Sequence, residues 1–180
     1  MTGAPLNGKT IVLVGLMGAG KSTVGRRLAQ ALGMPFRDAD VEIEAAAGRS
    51  IGEIFSQFGE AAFRDGERRV IARLLAQPPH VLATGGGAFI DDETRALINA
   101  KAISVWLKAD VEVLARRVTR RGVRPLLVGK DPVEVLQAHA LARYDCYAEA
   151  HLTIETGDTA HQVAVDAIIK ALTLRLVANP

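Results

Sequence analysis

Glycines, a lysine and hydroxyl side chains near the start of the sequence are spaced for phosphate chemistry. The stretch GLMGAGKST, Gly15 to Thr23, fits the P-loop pattern G-x-x-x-x-G-K-[ST]. In such a loop successive backbone N–H groups face one centre, the lysine reaches the β- and γ-phosphates, and the hydroxyl can ligate Mg²⁺. The alternative is a glycine-rich turn that binds nothing. We favour a site for a nucleoside triphosphate, formed by Gly18, Ala19, Gly20, Lys21, Ser22 and Thr23.

Two acids follow, Asp38 and Asp40 in the run DAD. If this run ends a strand, residues two apart share a face, and both carboxylates point at the site above the strand. One could hold a magnesium-bound water, while the other accepts a proton or a hydrogen bond from a substrate hydroxyl. A solvated loop that carries two acids is the alternative. The neighbouring P-loop favours the catalytic interpretation.

The run TGGGAF, Thr84 to Phe89, repeats the glycine pattern. Its three consecutive glycines, Gly85, Gly86 and Gly87, allow the backbone to approach a ligand closely, although a tight turn would use them too. The position at the carboxyl end of a predicted strand favours a ligand site.

Several arginines could bind the carboxylate or phosphate groups of a small anionic substrate, because a guanidinium matches both in bidentate geometry. Glu67 lies three residues after Arg64 on a predicted helix and can brace its guanidinium. The candidates for binding are Arg64, Arg117, Arg120, Arg124 and Arg143. We expect Arg26, Arg27, Arg73 and Arg95 to be solvated.

Short apolar runs alternate with longer amphipathic ones, which predicts strands alternating with helices. The predicted strands are 10–15, 35–40, 81–84, 102–107 and 151–155. Helices are predicted over 21–33, over most of 40–77 with breaks at Gly48 and Gly59, from 91, from 110, over 130–150 and over 159–178. This alternation predicts an α/β fold, with a five-stranded parallel sheet flanked by helices.

Composition excludes several other classes. A chain of 180 residues without a linker is most simply one domain. Its single cysteine cannot form an internal disulfide, which indicates a reducing, cytoplasmic location. A net charge of +2 is too balanced for a nucleic-acid footprint, and no apolar run approaches a membrane span or a signal peptide. We therefore expect neither nucleic acid nor membrane as a partner.

Taken together, five motifs resemble bacterial shikimate kinases. The motifs are GLMGAGKSTVGRRLA, DADVEIE, FRDGE, ATGGG and RPLL, and the resemblance runs over roughly 9–171. It implies transfer of the γ-phosphoryl group of MgATP to the 3-hydroxyl of shikimate, on the route to chorismate and the aromatic amino acids. It also implies a P-loop kinase domain with a substrate-binding helical segment at about 40–77 and a mobile lid at about 121–131. We expect one such domain over 1–180, and a monomer.

The resemblance assigns roles to the candidate residues. Ser22 and Asp38 would serve the magnesium ion, Asp38 through water, and Asp40 would hold the attacking hydroxyl. Lys21 and Arg124, on the lid, would stabilise charge on the transferring group. The shikimate carboxylate and ring hydroxyls would be clamped by Arg64, Arg143 and the backbone of Gly85, Gly86 and Gly87.

The nucleoside end of the site carries one departure from the family pattern. Arg117 would stack on the adenine. Near the start of the last helix, where the family often has a proline against the other adenine face, this chain has Ala160. The departure concerns the adenine contact and nucleotide selectivity, and leaves the transfer chemistry intact.

Two other functions compete with this interpretation. A different P-loop kinase for a small polyol acid, such as a gluconokinase, shares the loop but does not predict DAD, FRDGE and TGGG together. An ATP-binding module that works on nucleic acid predicts paired acids at a strand end and a basic face. The strand AISVWLKAD offers only the late Asp110 for that purpose.

Overall fold

The computed structural model describes residues 8–122 and 127–178. Within these residues, five strands form one parallel sheet in the order β2-β3-β1-β4-β5, as the sequence predicts. The strands are β1 (Thr10–Val14), β2 (Phe36–Asp38), β3 (Val81–Ala83), β4 (Ala102–Lys108) and β5 (Leu152–Glu155). Every residue of the central strand β1 is buried, which explains its uninterrupted apolar pattern.

Helices connect and cover the strands. Those of the described residues are α1 (Lys21–Leu32), α2 (Ala39–Ala47), α3 (Ile51–Leu75), α4 (Asp92–Lys101), α5 (Val111–Arg120), α6 (Pro132–Tyr147) and α7 (His161–Ala178). α1 packs against α7 and β3, while α4 packs against α3 and β4. A search of 8–122 and 127–178 finds no helix with the length and apolar character that a membrane crossing needs.

The breaks predicted in the long helical segment are present. Gly48 ends α2 in the left-handed conformation, with φ 66°. Ser50 and Glu53 then form a capping box that starts α3. Gly59 interrupts α3 with φ 82° and ψ 174°, a backbone conformation that only glycine adopts readily. The segment is thus a set of three short helical pieces.

One predicted boundary is wrong, and it changes how the two acids are positioned. β2 ends at Asp38, and the next residue already belongs to α2. The Asp38 carboxylate accepts a hydrogen bond from the backbone N–H of Asp40 at 3.0 Å, and so caps the helix. Asp38 and Asp40 therefore do not share a strand face. Asp40 lies instead in the first turn of α2.

Candidate active site

The P-loop joins the carboxyl end of β1 to α1, as predicted. Gly15, Gly18 and Gly20 have φ values of 142°, 81° and 90°, which disfavour any residue with a side chain. Space is also restricted, since a Cβ would lie 2.7 Å from the Leu107 carbonyl oxygen at Gly15 and 2.9 Å from the Leu114 carbonyl oxygen at Gly18. The loop is therefore shaped by contacts with β4 and α5, and it leads into the N–H groups of a helix N-terminus.

The side chains of Lys21 and Ser22 in the loop are both hydrogen-bonded. The Lys21 ammonium donates to the carbonyl oxygens of Gly15 at 2.7 Å and Leu16 at 3.0 Å. The Ser22 hydroxyl donates to Oδ2 of Asp38 at 2.7 Å. The structure thus brings together the two residues that were predicted to serve magnesium.

The donor set suits Mg²⁺ bound with a nucleotide. A serine hydroxyl and one carboxylate are hard oxygen ligands, and Mg²⁺ usually binds through one or two such protein groups plus substrate phosphates and waters. The described part of the chain contains no group of three or more His, Cys, Asp or Glu side chains able to hold a metal on their own. Ser22 and Asp38 therefore fit a metal that arrives with ATP.

The remaining candidate site residues lie close to the glycine turn after β3. A Cβ at Gly85 would lie 3.2 Å from Oδ1 of Asp40 and 3.3 Å from Oε2 of Glu67. A Cβ at Gly86 would lie 3.4 Å from Nη1 of Arg143, and a Cβ at Gly87 would collide with the Arg64 guanidinium. Four residues from α2, α3 and α6 thus converge on three consecutive glycines. A side chain at any of the three positions would require one of these neighbours to shift.

Glu67 braces Arg64, as predicted, and is almost completely buried. Its Oε1 accepts a hydrogen bond from Nη1 of Arg64 at 2.8 Å, while the residue is only 2% exposed. Burial raises the pKa of Glu67, an effect that the adjacent Arg64 partly opposes. Among the described residues Oε2 has no hydrogen-bond partner, and it points at Gly85 beside Asp40. The ion pair fixes the guanidinium above the glycine turn.

The two subsites adjoin each other. A Cβ at Gly86 would lie 3.7 Å from both the carbonyl oxygen of Gly15 and the backbone nitrogen of Met17. The glycine turn after β3 therefore lies directly against the P-loop after β1, because β1 and β3 are neighbours in the sheet. Asp40, which lies beside Gly85, is therefore close to the edge of the P-loop.

Arg117 and His161 lie at the other side of the P-loop. Arg117 donates to the carbonyl oxygen of Gly18 at 3.3 Å and to that of Gly157. A Cβ at Gly20 would lie 3.3 Å from Cε1 and Nδ1 of His161, the first residue of α7. Burial, helped by nearby arginines, lowers the pKa of His161. Sequence reasoning missed this histidine, which follows Ala160 directly.

Tyr147 is a second residue that sequence reasoning missed. Its hydroxyl donates to the carbonyl oxygen of Gly86 from a fully buried position in α6. The only available signal was its spacing, since it lies four residues after Arg143 and so on the same helix face.

Two predictions about arginines have different outcomes. Arg124 and the three residues around it, 123–126, lie outside the described residues, so its predicted role stays a prediction.

The prediction that Arg95 is solvated is wrong. Its side chain is 13% exposed, pairs with Asp92 and Glu149, and donates to the carbonyl oxygens of Phe89 and Ile90.

The error arose because one partner of Arg95, Glu149, is distant from it in the sequence. Arg95 satisfies the carbonyl groups of the short 3₁₀ turn Ala88–Ile90, and its partner Glu149 is 54 residues away. Nothing in the local sequence predicts that pairing. Arg26, Arg27 and Arg73 are exposed, as predicted.

Comparison with known proteins places this geometry in a family context. A sequence model of the family described as shikimate kinase matches residues 17–173. A shikimate kinase of Caulobacter vibrioides is 74% identical over 169 residues, which cover 94% of this chain and 84% of that protein. The solved structure of a shikimate kinase from Acinetobacter baumannii in complex with shikimate is 40% identical, with a TM-score of 0.88, over 93% of this chain and 94% of that one.

A gluconokinase from Sinorhizobium meliloti is more distant, at 21% identity and a TM-score of 0.60, over 94% of each chain. The likeness to the gluconokinase is one of fold alone. The likeness to shikimate kinases extends through the sequence, since the Caulobacter protein matches 94% of this chain at 74% identity.

Proposed function

The chain belongs to the shikimate kinase family, and from this premise we propose how its residues transfer the γ-phosphoryl group of ATP to the 3-hydroxyl of shikimate. The observation that carries the proposal is the contact between the P-loop and the glycine turn after β3, with Asp40, Arg64 and Arg143 around that turn. Donor and acceptor would meet there with little further movement of the backbone.

The nucleotide occupies the P-loop in this proposal. Backbone N–H groups of Gly18 to Thr23 bind the phosphates at the start of α1. Lys21 exchanges its two carbonyl partners for phosphate oxygens, where its charge counters the charge that develops in the transition state. Arg117, held between Gly18 and Gly157, lies against the base, with His161 and Ala160 on the neighbouring segment.

Magnesium enters with the nucleotide. Ser22 would ligate it directly and Asp38 would hold one of its waters, a division that the hydrogen bond between them supports. Held by these residues, the ion would supply positive charge against the charge of the phosphates.

Shikimate binds at the glycine turn. Its carboxylate pairs with Arg64 and Arg143, while the N–H groups of Gly85, Gly86 and Gly87 line the bottom of the site. Asp40 accepts the hydrogen bond of the 3-hydroxyl and so aims its oxygen at the γ-phosphorus. Glu67 keeps Arg64 oriented for this contact.

Further proposals concern the domain organisation, the location and the oligomeric state of the chain. We propose that residues 1–180 form one domain, that residues 40–77 carry the acceptor site, and that the segment 121–131 brings Arg124 to the transferring group. Arg121, which donates to the hydroxyl of Thr23 at 3.5 Å, supports a position of that segment near the P-loop. We further propose a cytoplasmic monomer with no nucleic acid partner, in line with the single cysteine and the balanced charge.

A coupled assay of ADP release tests the acceptor. With MgATP and shikimate we expect release far above the rate without acceptor, and with gluconate no increase over that background. A larger response to gluconate than to shikimate would refute the proposed function. A gel-shift experiment with single-stranded DNA should give no salt-sensitive complex.

A further inference from the structure

Tyr147 connects two parts of the proposed acceptor site. Its hydroxyl donates to the carbonyl oxygen of Gly86, the middle residue of the glycine turn. The guanidinium of Arg143, one helical turn earlier in α6, approaches the same glycine, since a Cβ at Gly86 would lie 3.4 Å from its Nη1. Its charge also acts on the Tyr147 phenol. The phenol group therefore holds the turn and lies near the guanidinium.

The ring of Tyr147 is fixed by aromatic neighbours. Trp106 of β4 lies with its ring centroid 5.7 Å away, and Tyr144 lies at 6.5 Å. Tyr147 is fully buried and Trp106 is 5% exposed. Because Trp106 belongs to β4, packing against it fixes the position of the Tyr147 hydroxyl relative to the sheet.

The hydroxyl remains a donor throughout the physiological range. Burial raises the pKa of Tyr147 to about 12, so the phenol stays protonated at neutral pH. The hydroxyl can thus donate to the Gly86 carbonyl oxygen at neutral pH.

The glycine turn needs such an anchor. Three glycines in a row have more backbone freedom than any other residues, and they contribute no side chains that could pack. Gly86 also lies against both the P-loop and Arg143, so its position sets the separation between the two subsites. A loosely held Gly86 would let the acceptor site shift relative to the phosphate.

We infer that Tyr147 is a positioning residue for the acceptor: through its hydroxyl it holds the Gly86 backbone beside the Arg143 guanidinium, in the geometry that binds the shikimate carboxylate. The inference rests on the proposed function. It concerns a residue that touches neither substrate and acts through the glycine turn, which does.

The test is the variant Tyr147→Phe, which keeps the ring and removes only the hydroxyl. We expect the KM for shikimate to rise about tenfold, while kcat and the KM for ATP change less than about threefold. Tyr144→Phe is the matched control. Tyr144 belongs to the same aromatic cluster, but its hydroxyl donates to the Ala109 carbonyl oxygen at 3.3 Å, away from the glycine turn. Its KM for shikimate should not change.

A double-mutant cycle distinguishes positioning from general loss of stability. In an Arg143→Ala background, the further change Tyr147→Phe should raise the KM for shikimate by clearly less than in the wild-type background, because the guanidinium beside Gly86 is gone. An unchanged KM for shikimate in Tyr147→Phe would overturn the inference. Equal increases in Tyr147→Phe and Tyr144→Phe would overturn it too.

A second measurement covers the case in which Tyr147→Phe does not fold. The chain has two tyrosines, so the Tyr144→Phe protein carries Tyr147 alone. With carbon-13 at the tyrosine ring, its NMR signal should shift as shikimate is added, with the dissociation constant of shikimate. A signal that stays constant at saturation contradicts the inference. Absence of shikimate phosphorylation by the wild-type protein would instead contradict the proposed function.

Discussion

The cations of the site differ in how firmly they are held before any ligand arrives. The Lys21 ammonium rests on two carbonyl oxygens of its own loop, which are neutral partners that a phosphate can replace. Arg64 is tied to the buried carboxylate of Glu67, a partner that no neutral group could replace without leaving a buried charge unpaired. In the proposed mechanism Lys21 gives up carbonyl oxygens to bind phosphate, whereas Arg64 keeps its carboxylate partner when it binds the acceptor.

The first prediction concerns Lys21. Changing Lys21 to Met should lower kcat by several orders of magnitude, because the ammonium counters charge that grows as the phosphoryl group moves. The fold should survive, which circular dichroism and urea unfolding would check. Lys101→Met, at the exposed end of α4, is the control and should retain normal turnover. Near-normal turnover of Lys21→Met would remove this lysine from the mechanism.

The second prediction concerns the acceptor carboxylate. Arg64→Ala should weaken shikimate binding by about 1.5–3 kcal/mol, the value of a hydrogen bond to a charged group, with little effect on ATP. Isothermal titration calorimetry with each ligand measures both effects. Arg68→Ala is the control, since Arg68 lies one turn further along α3 and pairs with Asp91 instead. A loss confined to ATP affinity would mean that Arg64 serves the other subsite.

The third prediction uses the raised pKa of Tyr147. An acid whose pKa is higher in the folded state keeps its proton while the unfolded chain loses it, so folding becomes less favourable as pH rises from about 10 to about 12. Between about pH 9 and about pH 11.5, the free energy of unfolding of the wild type should fall by about 2 kcal/mol more than that of Tyr147→Phe. Urea unfolding at each pH measures the difference. Parallel curves for the two proteins would show that the buried phenol does not titrate as described.

At the scale of elements, local signals predicted much of the architecture. The central strands β1, β3 and β4 are apolar runs that are buried, because helices cover both faces of a parallel sheet. Gly48 and Gly59 mark helix breaks, and both have a positive φ that favours glycine. The P-loop and the turn after β3 follow from the same kind of signal. Their residues are contiguous, so a short stretch of sequence contains the whole pattern.

What could not be predicted depends on contacts between distant residues. Tyr147 reaches Gly86 from 61 residues away, and Arg95 pairs with Glu149 across 54. In neither pair does one residue alter the sequence pattern around the other, so the local sequence does not predict the contact. Asp40 was predicted in the site for the wrong reason, because the Asp38 carboxylate caps a helix where the apolar pattern suggested a continuing strand.

The fourth prediction compares two glycines of α3. Gly59 has a positive φ, so Gly59→Ala should destabilise the protein by about 1–3 kcal/mol. Gly66 lies in the helix with open space where a Cβ would stand, so Gly66→Ala should stabilise it by about 0.5–1 kcal/mol. Urea unfolding of both variants measures the free energies. The same sign for both would contradict the assigned break at Gly59.

At the scale of the whole molecule, the sheet order determines where the chemistry takes place. β1 lies between β3 and β4, and β2 follows β3, so the P-loop, the glycine turn and the acids all leave the sheet at its carboxyl edge. Open α/β sheets bind ligands at this edge. Helices α2, α3 and α6 then supply the acid and the arginines from outside the sheet. The P-loop and the glycine turn are thus adjacent because their strands are neighbours.

Identification of the product tests the proposed function most directly. The purified protein is incubated with MgATP and shikimate, and the reaction is followed by phosphorus NMR with proton coupling to locate the new phosphate ester. We expect one phosphate ester, on the 3-hydroxyl, formed in equal amount with ADP. Formation of ADP with free inorganic phosphate and unmodified shikimate, or an ester on another hydroxyl, would contradict the proposed function.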